Sequence, residues 1–182
     1  MVTFAELASY INPRTELVDE IIARVQHYHF IQVRGTPASG KTTVMQLMAN
    51  KLLQMYGHES SIHVLCGWNR QEVRVAGWNA YLWQQTGISG NSWLTHQAYL
   101  LLDEAQESYW DSELWAALFK SIQPFVGNPC IILFSSYGSP DNRGYAGFGG
   151  PEHTTTPMIF APAQQISMRP DESIGDYLPI II

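Results

Sequence analysis

The stretch GTPASGKTT, Gly35 to Thr43, governs how the rest of this chain is read. It matches the pattern G-x-x-x-x-G-K-[ST]. It lies between a β-rich run, YHFIQVRG, and a segment with apolar residues at helical spacing, KTTVMQLMANKLLQMY. A strand before and a helix after are what give this pattern its physical meaning. Gly35 and Gly40 permit backbone angles that turn successive N–H groups inward, forming an anion-binding concavity. A helix opening near Lys41 adds its positive end at the same point, so a chain of phosphates is favoured there. Pro37 stiffens the loop. Lys41 is expected to reach β- and γ-phosphates, and the Thr42 hydroxyl to ligate Mg²⁺. The expected nucleotide-binding residues are therefore Gly35, Thr36, Pro37, Ala38, Ser39, Gly40, Lys41, Thr42 and Thr43.

Downstream, AYLLLDEAQESYW runs an apolar segment straight into two adjacent carboxylates, Asp103 and Glu104. Two like charges at the end of a buried strand must be solvated, paired or metal-bound. The phosphate loop supplies what they need, because Lys41, the positive helix end and a bound metal act at one point. Asp103 is expected to hold the Mg²⁺ through water, and Glu104 to orient or deprotonate an attacking water. A third element, IILFSSYGSP, ends in Ser135 and Ser136. A polar residue there can sense the γ-phosphate, with Ser136 the candidate.

Strand-like and helix-like segments alternate along the chain. NPRTELVDEIIARV reads as an amphipathic helix, with Asn12 as N-cap, Pro13 in its first turn and Leu17, Ile21, Ile22 and Val25 on one face. The helix from Lys41 to Tyr56 carries Val44, Leu47, Met48, Leu52 and Met55 on its apolar face and closes at Gly57. SIHVLCGW, AYLLLD and CIILFSS read as strands, AQQISM as a weaker one, and WNAYLWQQTG and WDSELWAALFKSI as helices. Strands separated by helical crossovers imply an α/β fold, a mostly parallel sheet covered on both faces. The expected organisation is one domain: a helical lead-in over 1–27, a nucleotide-binding core over 28–170 and an apolar tail over 171–182. Between Tyr137 and Pro151 lie five glycines and two prolines. This long loop is either a surface connection or a cover over a site, with Arg143 its only cation.

Composition narrows the function classes. With 182 residues, 46% apolar and 14% charged, the chain can bury a core and is not of disordered composition. A net charge of -6, with ten lysines and arginines in all, argues against a general grip on nucleic acid. Cys66 and Cys130 each sit in an apolar run and are expected to be reduced core residues. No apolar run is long enough for a bilayer span and the N-terminus lacks signal-peptide character, so an intracellular location, cytoplasmic or nuclear, is expected. His27, His29, His58, His63, His96 and His153 show no metal-ligand spacing. Trp68, Trp78, Trp83, Trp93, Trp110 and Trp115 read mainly as core, although Tyr109 and Trp110 could approach a ligand near Glu104.

Together, RGTPASGKTT, LLLDEAQESYWDSELWAALFK and IILFSSYGSP resemble a group of P-loop NTPases found mostly in fungal genomes. That group is related to the ATPase modules of Crinkler-type proteins and to AAA-like and STAND signalling ATPases. The resemblance runs from about Ile31 to Arg169. It implies an additional-strand, catalytic-glutamate core with sheet order 5-1-4-3-2, ATP with Mg²⁺ as ligands, and QISMRP as the strand beside the phosphate-loop strand. The family usually continues into a helical lid, whereas this sequence ends in DYLPIII, an apolar tail that either packs on the domain or meets a protein partner or second copy. Three functions follow: a Mg²⁺-dependent ATPase, a nucleotide-dependent switch that hydrolyses little, or, from the likeness of DEAQ to superfamily-one helicases, a nucleic-acid motor. A small-molecule kinase would need an acceptor site not visible in the sequence. Arg143 and Arg169 are candidate arginine fingers.

Overall fold

Helix α1, Thr15–Tyr28, begins two residues later than its sequence suggests. Asn12 spends its side chain on the backbone N–H of Arg14, 3.0 Å away, in a local turn, so it does not cap the helix. Arg14 takes the N-cap position in a left-handed conformation, φ 42° and ψ 43°. The computed structural model describes residues 12–57, 61–122, 129–136 and 156–168. The Tyr137 to Pro151 loop, the 171–182 tail, Arg143, Arg169, His58 and His153 lie outside the described residues.

After α1 come β1 (Phe30–Gly35), α2 (Lys41–Tyr56), β2 (Ser61–Leu65), α3 (Arg70–Ala76), α4 (Trp78–Thr86), α5 (Gly90–Trp93), β3 (Ala98–Leu102), α6 (Ser112–Ala117), β4 (Cys130–Ser136) and β5 (Gln165–Ser167). A 3₁₀ turn, Ala105–Ser108, follows β3, and a second, Phe119–Ser121, follows α6. All the strand pairs are parallel, in the order β2-β3-β4-β1-β5. This is the expected order read from the other edge, with the short β5 beside β1.

The strand residues alternate between two cores, as a two-residue period requires. In β4, Ile132 and Phe134 face α1 and α2, while Ile131 and Leu133 face α3 to α6. The result is three layers, with helices on both sheet faces. α1 and α2 bury Ile21, Ile22, Val25, Val44, Met48 and Leu52 as their periodicity requires, and Gly57 closes α2 through its N–H to Leu53 O. Three residues depart from expectation. Met55 on α2 is exposed, Trp83, expected in the core, is 57% exposed on α4, and Cys66 is exposed because β2 ends at Leu65; Cys130 is buried, and both thiols are free. Among the described residues, no helix is long and apolar enough to cross a membrane.

Candidate functional site

Because the strands are parallel, the ends of β1, β3 and β4 reach one edge of the sheet together. Gly35, the last residue of β1, pairs in register with Ser136, the last of β4. A side chain at Gly35 would run into Ser39 Oγ and stand 3.3 Å from Met168 Cβ, so the loop can fold back over the strand end only with glycine there. Ala38 (φ 63°) and Gly40 (φ 83°) both take left-handed backbone, and a Cβ on Gly40 would lie 3.2 Å from the guanidinium nitrogens of Arg14. Arg14 Nη1 also donates to Ser39 O at 3.3 Å, which buttresses the loop from the start of α1. Gly40 is the N-cap of α2 and supplies no side-chain cap, so the first-turn N–H groups of a 16-residue helix face the loop without one. Thr43 sits half-buried in that first turn, while Pro37 and Ala38 form the exposed tip.

Lys41 is only 5% exposed. Its ammonium donates to the carbonyls of Gly35, at 3.3 Å, and Thr36, at 3.0 Å. Among the described residues no carboxylate lies within 4.0 Å of it, so a buried positive charge is held by neutral carbonyls alone.

Asp103 follows β3 directly, and its N–H extends the ladder to Leu65 O at 2.8 Å. Its buried carboxylate accepts from Thr42 Oγ1 at 2.7 Å and from the Glu104 N–H at 3.0 Å. Thr42 and Asp103, on different elements, thus bring two oxygens to one point, a pair that could contribute to holding a hard divalent cation. Glu104 turns the chain through a left-handed conformation, φ 45°. Its carboxylate accepts from Gln106 Nε2, and Gln106 Oε1 in turn accepts from the Ser136 N–H at 3.1 Å. The two serines that end β4 separate by face. Ser135 Oγ accepts from Gln32 Nε2 at 2.9 Å within the buried layer, leaving Ser136 beside Gly35 at the loop. Tyr109 is equally inside, its hydroxyl accepting from Gln32 at 2.9 Å.

Gln106 and Arg14 are not among the residues expected from the sequence. Gln106 had a visible signal, the polar residue two positions after Glu104 in DEAQ; Arg14 had none, since its role depends on the left-handed start of α1. Comparison with known proteins finds no matching family model and no matching curated protein.

A cavity of about 910 Å³ opens beside this edge at the ends of β2 and β3, lined by Cys66, Trp68, Arg70, Gln106, Glu107 and Trp110 among others. Its wall is fixed: Trp68 Nε1 donates to Asp111 at 3.0 Å, and the Trp68 backbone N–H donates to Glu107 at 3.2 Å. The guanidinium carbons of Arg70 and Arg74 lie 5.1 and 5.6 Å from the Trp110 ring centre, within cation–π range. Among the described residues no three His, Cys, Asp or Glu side chains gather as metal ligands.

Proposed function

We propose that this chain is a P-loop NTPase domain of the additional-strand, catalytic-glutamate class, which binds ATP with Mg²⁺ and hydrolyses it. The observation that carries the reading is Lys41, a buried cation resting on the carbonyls of its own loop at the uncapped start of α2. Such a charge is stabilised by an anion, and the loop, the helix end and the ammonium all favour a phosphate chain. The sheet order β2-β3-β4-β1-β5 supports the same assignment.

In this reading Lys41 leaves its carbonyls to bond the β- and γ-phosphate oxygens, and the loop N–H groups cradle the chain between them. Thr42 and Asp103 would hold the Mg²⁺, which neutralises charge on the phosphates when bound. Glu104 accepts a hydrogen bond from the attacking water and takes its proton. Ser136 stands at the γ-phosphate end of the loop.

Calorimetric titration of Mg-ATP into wild type and Lys41→Ala, followed by phosphate release on wild type and Glu104→Gln, tests this. Lys41→Ala is expected to weaken binding roughly 10- to 100-fold through loss of a charge-assisted contact. Glu104→Gln is expected to keep binding and lower turnover by about 10²- to 10⁴-fold. Equal Mg-ATP affinity in wild type and Lys41→Ala would overturn the assignment.

A further inference from the structure

Gln106 forms a relay from the turn after β3 to the end of β4, beyond the point where the ladder between these neighbouring strands stops at Leu102 and Leu133. Its amide donates through Nε2 to Glu104 and accepts through Oε1 from the backbone N–H of Ser136 at 3.1 Å. Ser136 is itself the register partner of Gly35. A primary amide suits this task, because one end must donate to a carboxylate while the other accepts from an N–H. Lysine lacks the acceptor and glutamate lacks the donor.

Glu104 needs such a restraint. Its backbone sits at φ 45° and ψ 42°, a conformation that non-glycine residues adopt at some cost, held by its N–H to Asp103 Oδ1 at 3.0 Å. That contact fixes the backbone and leaves the side-chain torsions to be set by something else. Gln106 lies in the 3₁₀ turn directly after Glu104 and supplies the bond on Oε2.

We infer that Gln106 is a positioning residue for hydrolysis: it aims the Glu104 carboxylate by tying it to the end of β4 beside Gly35. This rests on the reading of Glu104 as the group that activates water. In the step concerned, the water oxygen bonds to the γ-phosphorus as the bond from that phosphorus to the bridging oxygen breaks. ADP leaves with the electron pair, and the water's proton passes to Glu104. Gln106 takes no proton and touches no reacting atom; it fixes the direction from which the carboxylate acts, and a misaligned base is costly.

Mg-ATP titration, steady-state phosphate release and thermal melting of the whole chain, on wild type, Gln106→Ala and Gln106→Glu, decide the matter. Gln106→Ala is expected to lower kcat by on the order of 10- to 100-fold, with the Kd for Mg-ATP unchanged within about twofold. Gln106→Glu separates the two bonds, since it still accepts from the Ser136 N–H but sets a carboxylate against Glu104. It is expected to be at least as slow as the alanine variant, with the wild-type melting temperature. Wild-type turnover in Gln106→Glu would overturn the inference, because pinning the end of β4 would then be the whole role of Gln106. Unchanged kcat in Gln106→Ala would overturn it as well, leaving the ATPase reading intact. Mg-ATP binding without wild-type turnover would overturn the positioning role and the hydrolytic half of the proposed function, but not nucleotide binding. Absence of binding would overturn both.

Discussion

The two faces of the sheet are built on different principles. On one side, α1 and α2 run 14 and 16 residues and bury a nearly pure aliphatic surface of valine, isoleucine, leucine and methionine. On the other, α3 to α6 are 4 to 9 residues long, and the core is aromatic, with Trp68, Tyr81, Trp93, Tyr109, Trp115 and Phe119. The aromatic side also holds buried polar groups whose partners are specific: Trp115 Nε1 donates to Ser108 O at 3.0 Å, and Asp111 accepts from both the Leu114 N–H and Trp68 Nε1. Aliphatic faces tolerate exchange of similar volumes, whereas ring contacts and buried hydrogen bonds fix one arrangement. The candidate site straddles the two. Its loop, Lys41 and Thr42 come from the aliphatic layer, while the Ala105–Ser108 turn that carries Gln106 packs into the aromatic one through Ala105.

The largest effect should come from removing the hub of the aromatic side. Trp115 is fully buried and meets Phe30, Tyr109 and Phe119 with ring centres 4.9 to 6.3 Å apart. Trp115→Ala is expected to cost about 3–5 kcal/mol in urea unfolding, a cavity plus lost ring contacts. A loss under about 1 kcal/mol, the level of a minor repacking, would show that this face is as forgiving as the other. Smaller, at about 1–3 kcal/mol, is the expected cost of Asp111→Ala, which removes the cap of α6 and the partner of Trp68 together. The change should also alter the tryptophan spectrum, since Trp68 loses its acceptor.

The gentlest probe uses the two thiols, one on each side. Cys130 is buried in the aliphatic core, where burial pushes its thiol up to about 11, so it stays protonated and unreactive at pH 8. Cys66 lies exposed on the rim of the cavity. A thiol reagent at pH 8 is expected to label Cys66 alone in the native protein, and Cys130 only once denaturant opens the aliphatic layer. Labelling of both at equal rates would mean that the layer around Cys130 opens freely.

Legibility followed the same division. The β1 strand, the loop and α2 announce themselves through glycine positions and a 3.6-residue apolar period, and the aliphatic runs of β3 and β4 through length and composition. Asp103 and Glu104 could be read because charge after such a run demands a partner. The aromatic side was harder. α3 buries only Val73, so it shows no apolar period, although Asn69 with Glu72 three positions on is a helix-start signal, and Asn69 does accept from the N–H groups of Gln71 and Glu72. The helix expected over WDSELWAALFKSI stops at Ala117 and continues as a 3₁₀ turn, because Leu118 and Phe119 must both turn into the aromatic core. Gln106 was visible as a polar residue in DEAQ, but its bonds to Glu104 and Ser136 depended on the turn geometry.

The pairing of Phe30 with Ile131 has a kinetic side. The partners are separated by about a hundred residues, and non-local parallel pairing of this kind is slow to form. During synthesis the Gly35–Thr43 loop is therefore made well before β4, and the strand it follows has no neighbouring strand until β4 leaves the ribosome. The segment with the clearest chemical signature is thus among the last to acquire its working shape, and mutations that weaken the β1–β4 seam should slow refolding of the site more than that of β2 and β3.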